Sequence, residues 1–69
     1  MGKPTTPLRR LRKARTLSQV DLARLAGVSQ QAMSKFENGQ LVPSADVQAL
    51  IAAILGASAS ELFPPQVAA

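Results

Sequence analysis

A single glycine, Gly27, separates two short stretches of helical periodicity, and each stretch opens on a serine. Ser18 stands as an N-cap ahead of Leu22, Ala23 and Ala26, which fall at i, i+1 and i+4 and make one apolar stripe. Asp21, three residues after Ser18, gives this start the S-x-x-D form of a capping box. Ser29 caps the second stretch, where Met33 and Phe36 face inward at i and i+3, and Gln30, Gln31, Ser34 and Lys35 face outward. A glycine after Ala26 lets the chain enter a left-handed turn without steric cost. Residues 18–38 are therefore expected to form a helix over about 18–26, a tight turn at Ala26–Ser29 and a helix over about 29–37, ended by Asn38-Gly39.

The remaining segments read as cover for these two helices. Thr6-Pro7 is an N-cap followed by proline at the first helical position. That first helix runs to about Ala14 or Arg15, with Leu8, Leu11 and Ala14 inward and Arg9, Arg10, Arg12, Lys13 and Arg15 on or near its polar side. Leu17 in the short connection is expected to tuck into the core. "QLVPS" is a loop, since Pro43 disfavours helix before it. Ser44 caps a fourth helix, in which Val47, Leu50, Ile51, Ile54 and Leu55 give an i, i+3, i+4, i+7, i+8 face that ends at Gly56. Ser58-x-x-Glu61 is a second capping box, opening one turn that buries Leu62 and Phe63 before Pro64-Pro65. The expectation is an all-α, compact five-helix bundle over 6–63, with a flexible arm at 1–5 and a short tail at 64–69.

Sixty-nine residues suit one small domain, and 46% hydrophobic content suits a packed one rather than a disordered tail. The chain has no cysteine and no histidine, so thiolate metal sites and the commonest general base are missing. Three of the four acids, Asp21, Asp46 and Glu61, sit in first turns of helices, where negative charge suits the dipole. No carboxylate pair is left for acid/base chemistry, so neither an enzyme nor a bound cofactor or metal is expected. No apolar run approaches ~18 residues, which argues against a membrane span; a soluble, cytoplasmic domain is expected. All eight Lys and Arg residues lie in 1–35 beside one acid, whereas 36–69 holds three acids and no base. Such a split gives the molecule one side suited to a polyanion. With two Phe and no Tyr or Trp, it has no stacking platform for single-stranded RNA.

Two glutamines and a lysine near a helix start are residue types that reach base edges in a DNA major groove: glutamine bonds adenine N6/N7, and lysine bonds guanine O6/N7. At this point the run "LSQVDLARLAGVSQQAMSKFENG" resembles the helix-turn-helix domain of the phage repressor/Cro type, shared by many small bacterial regulators and antitoxins. The pattern L-[ST]-Q-x-x-L-A-x-x-A-G-V-S-Q-x-x-[IM]-S-x-[FI]-E-N-G is met at nearly every fixed position. The resemblance extends through "LVPSADVQALIAAILGASASELF", covering roughly residues 7–63.

The resemblance implies a lambda-repressor-like fold whose third helix lies in the major groove of double-stranded DNA. Carried over position by position, Gln30, Gln31 and Lys35 read bases. Gln19, Ser29, Ser34 and Asn38 contact phosphates, Ser29 also being a cap and Ser34 also a packing residue. Arg9, Arg10, Lys13 and Arg15 supply the long-range field, with Lys3 a lesser candidate for a phosphate. In the family an acid at the position of Glu37 pairs with a base on the first helix, here Arg12. Several relatives carry a basic residue in the loop before the fourth helix, whereas "QLVPS" has none, which implies modest affinity per monomer and a homodimer on a near-palindromic operator. Leu41, Val42 and the fourth and fifth helices are the expected dimer surface. The reading is a small transcriptional regulator, most often a repressor, bacterial or phage-encoded. The alternative is an antitoxin that binds a toxin protein and represses its own operon; the DNA-binding part of a longer regulator also fits.

Overall fold

The computed structural model describes residues 6–63. The expected arm (1–5, with Lys3) and tail (64–69) lie outside the described residues. Five helices follow in order, α1 Pro7–Ala14, α2 Gln19–Ala26, α3 Gln30–Glu37, α4 Ala45–Leu55 and α5 Ala59–Leu62, and no strand occurs among the described residues. Each helix begins on a hydroxyl. Thr6, Ser18, Ser29, Ser44 and Ser58 hold extended backbone and accept the N–H of Arg9, Asp21, Ala32, Val47 and Glu61, which satisfies donors that a helix start leaves unpaired. The reciprocal box forms at α5, where the Ser58 N–H donates to Glu61 Oε1 at 3.0 Å. At α2 the hydroxyl half is made, Ser18 Oγ accepting from the Asp21 N–H at 3.0 Å.

The turn between α2 and α3 is fixed at Gly27, whose φ of 74° lies in the left-handed region. The Val28 N–H then reaches back to the Ala23 carbonyl at 2.9 Å, the six-to-one bond of a Schellman end. Equivalent bonds close α3 (Gln40 N–H to Lys35 O, 2.9 Å) and α4 (Ala57 N–H to Ala52 O, 2.9 Å). α1 closes in the same way, Leu17 N–H to Arg12 O at 3.2 Å. There, however, the left-handed residue is Thr16, at φ 56°.

α2 packs on α3 and α4, α5 on α4, and α1 bridges α3 and α5. Leu8, Leu22, Ala23, Ala26, Met33, Phe36, Ile51, Ala52, Leu55 and Leu62 form the buried core, with Leu11, Leu17, Val47, Ile54 and Phe63 packed half-buried against it. Three inward assignments and one outward one are corrected. Ala14 is exposed, because the inward stripe of α1 is completed by Arg12, four residues after Leu8. Arg12 itself is buried rather than on the polar side. Leu50 is 49% exposed, since Ala52 takes the inward position of α4 and turns the buried stripe away from it. Phe63 is half-buried only.

Candidate nucleic-acid interface

Gln31, Ser34, Lys35 and Asn38 are spaced i, i+3, i+4 and i+7 along α3 and its cap, so they share one ridge. Gln30, Gln31, Lys35 and Asn38 are exposed, and Ser34 is half-buried. Among the described residues, none of the Gln30, Gln31 or Lys35 side chains makes a hydrogen bond within the chain, so their donors and acceptors face solvent. Ser29 is engaged by its cap, Oγ accepting from the Ala32 N–H at 3.0 Å. The opposite face of α3 is anchored by Met33 and Phe36, so the ridge stands on a packed base.

Behind that ridge lies a buried polar cluster that joins three helices. Arg12 Nε donates to Glu37 Oε2, and its Nη2 donates to Oε1 at 3.1 Å. Arg12 Nη1 donates to the Leu17 carbonyl at 2.8 Å, just before the start of α2. Gln19 Nε2 donates to Glu37 Oε1 at 3.2 Å, and the Thr6 hydroxyl donates to the Glu37 carbonyl at 2.7 Å. No buried side-chain nitrogen or oxygen among the described residues lacks a partner. That completeness lets a charged pair sit inside a small core, because each unpaired polar atom there would carry a desolvation penalty.

The basic residues divide by location. Arg9 and Lys13 are exposed one turn apart on α1. Arg10 turns toward a groove between α1 and α5, beside Pro7, Leu11, Ala14, Glu61 and Leu62. Arg15 reaches across to α4, its Nε donating to the Leu55 carbonyl at 3.0 Å. The last turn of α4 contains no base of its own, so Arg15 supplies the cation that a helix C-terminus favours. Glu61 has its carboxyl held below the ordinary value of 4.5 by the Ser58 backbone N–H and then the Ser58 hydroxyl, slightly opposed by desolvation. Among the described residues, no group of three or more potential metal ligands is brought together. No helix there is long and apolar enough to cross a membrane.

Two of the contacts that escaped the sequence reading bear most on the interface. The bond from Gln19 to Glu37 joins residues 18 apart, and that from Arg15 to Leu55 joins residues 40 apart. The second had a signal: a fourth helix ending without a cation, in a chain whose surplus cations all precede it.

Two capped helices set across the Gly27 turn, with a polar ridge on the second, define a helix-turn-helix domain; that family matches residues 6–62, and the chain belongs to it. Among solved structures, the chain is similar to the clp gene regulator ClgR from Corynebacterium glutamicum, with 28% identity and a TM-score of 0.75 over 83% of this chain. The match covers 61% of the ClgR chain, so the present sequence spans less than two thirds of that regulator's length. No curated protein matches the chain.

Proposed function

We propose that this chain binds double-stranded DNA sequence-specifically as a small cytoplasmic transcriptional regulator, acting as a repressor by occluding promoter sequence. The observation that carries this reading is the α3 ridge, where Gln30, Gln31 and Lys35 present free side-chain donors and acceptors on a helix held rigidly from behind. In this reading α3 enters the major groove, and those three residues read base edges. Gln19, Ser29, Ser34 and Asn38 hold flanking phosphates and set the register. Arg9, Arg10, Lys13 and Arg15 provide the attracting field, Arg15 while bound to α4. The similarity to ClgR, a gene regulator by its description, supports the same class.

Leu41 and Val42 are 47% and 61% exposed in the loop before α4. They border an apolar cleft of about 580 Å³ with Phe36, Leu62 and Phe63. This supports a homodimer over a near-palindromic operator, with the loop as part of its contact.

Selection of bound duplexes from a randomised DNA pool at near-physiological salt tests the reading. The expected product is a near-palindrome with half-sites about one helical turn apart. Weak, salt-sensitive binding with no enriched sequence would overturn it in favour of the antitoxin reading, with a toxin protein covering the exposed apolar loop.

A further inference from the structure

The buried ion pair does more than join α1 to α3, because its carboxylate has a second partner besides Arg12. Glu37 Oε1 accepts from Arg12 Nη2 at 3.1 Å and from Gln19 Nε2 at 3.2 Å. Gln19 is the first residue of α2, and it is half-buried. A glutamine amide has two distinct ends, and a carboxylate accepts only from the NH2 end. Glu37 therefore selects one of the two amide orientations of Gln19. It leaves the second Nε2 N–H available for an outside acceptor, with Oε1 turned away from the carboxylate. Without that selection the amide is free to turn its oxygen outward, toward which a phosphate oxygen gains nothing.

The same cluster fixes the backbone that carries Gln19. Arg12 Nη1 holds the Leu17 carbonyl at 2.8 Å, and the Leu17 N–H returns to the Arg12 carbonyl at 3.2 Å. The connection entering α2 is thus clamped on both sides one residue before its cap, Ser18. At the other end, Glu37 is the last residue of α3 and adjoins Asn38, the C-cap. One carboxylate therefore sets the distance between Gln19 at the start of α2 and Asn38 at the end of α3.

We infer that Glu37, held by Arg12, is a positioning residue for phosphate binding: it orients the Gln19 amide and fixes the spacing of Gln19 and Asn38 against the DNA backbone. This rests on the DNA reading given above. Gln19→Ala should weaken binding to every duplex by roughly tenfold or more, the scale of a missing hydrogen bond to a charged group. Discrimination between sequences should stay as it was, since phosphate contacts carry no base information.

The test is a double-mutant cycle in duplex affinity over Gln19→Ala, the paired replacement Arg12→Met/Glu37→Met and their combination, measured well below each melting temperature. Dependence of the two sites is expected: the paired replacement weakens binding when Gln19 is present and adds little when residue 19 is alanine. It removes the acceptor for Gln19 and both charges together, and spares the core an unpaired one. A purely structural Glu37 would lower the melting temperature while its effect on affinity simply added to that of Gln19→Ala. Additive losses would overturn the positioning role while leaving DNA binding intact. An NMR record of the Gln19 side-chain amide without DNA separates the two readings. Its two protons should be resolved away from free-amide positions in the parent chain and should return to them in Arg12→Met/Glu37→Met, which leaves no acceptor at residue 37; unchanged positions overturn the proposal. Absence of duplex binding by the parent chain would overturn the DNA reading and this proposal with it.

Discussion

Thr16 holds φ at 56° where α1 ends, whereas Gly27, Gly39 and Gly56 occupy the left-handed positions after α2, α3 and α4. A left-handed conformation costs an L-residue roughly 1–2 kcal/mol, and branching at Cβ aggravates it. The Thr16 hydroxyl recovers part of this by donating to the Arg15 carbonyl at 2.6 Å. Thr16→Gly should raise unfolding free energy by about 0.5–1 kcal/mol, after the added freedom of glycine in the unfolded chain is allowed for. Thermal melting checks it, and a lower midpoint would mean that the hydroxyl bond outweighs the strain. Removing the buried Glu37 carboxylate acts in the opposite direction. Glu37→Ala leaves the Arg12 guanidinium buried without its counter-ion and should cost about 3–5 kcal/mol in denaturant unfolding. At the exposed ridge, Gln30→Ala and Gln31→Ala should each cost about 1–3 kcal/mol on the selected duplex, with specificity relaxed at the contacted base pair. Unchanged discrimination by both variants would remove α3 from base reading.

At the scale of the helix, sequence alone disclosed the starts and stops because caps are local chemistry. Ser18, Ser29, Ser44 and Ser58 each act within three residues, and Gly27 acts on its own backbone. What it did not disclose depends on partners distant in the chain. Leu50 fits the helical periodicity of α4 as well as Ile51 does, but only the packed α2 and α5 decide that Ala52 turns inward in its place. On the α3 ridge, residue types were legible from spacing, whereas the amide of Gln19 is committed to Glu37 by a bond between helices. α5 offers a test of local chemistry through pH. Its Glu61 carboxyl is held below 4.5 by Ser58, so the charged form is favoured in the folded state. Its stabilising contribution is complete above the unfolded value and is lost as pH falls through the lower, folded one. Glu61→Gln, which retains an acceptor for the Ser58 N–H, should make the melting temperature less dependent on pH below about 4.5. Parallel acid profiles for both chains would show that the box contributes nothing through charge.

Across the whole molecule, charge is separated along the chain, with every base before residue 36. Replacing Arg9, Arg10 and Lys13 together by glutamine should flatten the dependence of duplex affinity on salt, by about 0.9 in logarithmic slope for each phosphate no longer neutralised. A slope equal to that of the parent would leave those side chains out of the interface. The reach of Arg15 from α1 to the Leu55 carbonyl, 40 residues on, has a different consequence. It ties the first described helix to the fourth, and no helix among the described residues exceeds 11 residues, too short to persist alone in water. α3 therefore exists only while the five helices are folded together, and amide hydrogen exchange at Met33 should follow the same global opening as at Leu22 and Ile51. Duplex and protease then draw on one all-or-none population. On the proposed DNA-binding reading, a bound duplex should lengthen the life of the polypeptide itself, by mass action on its folded state.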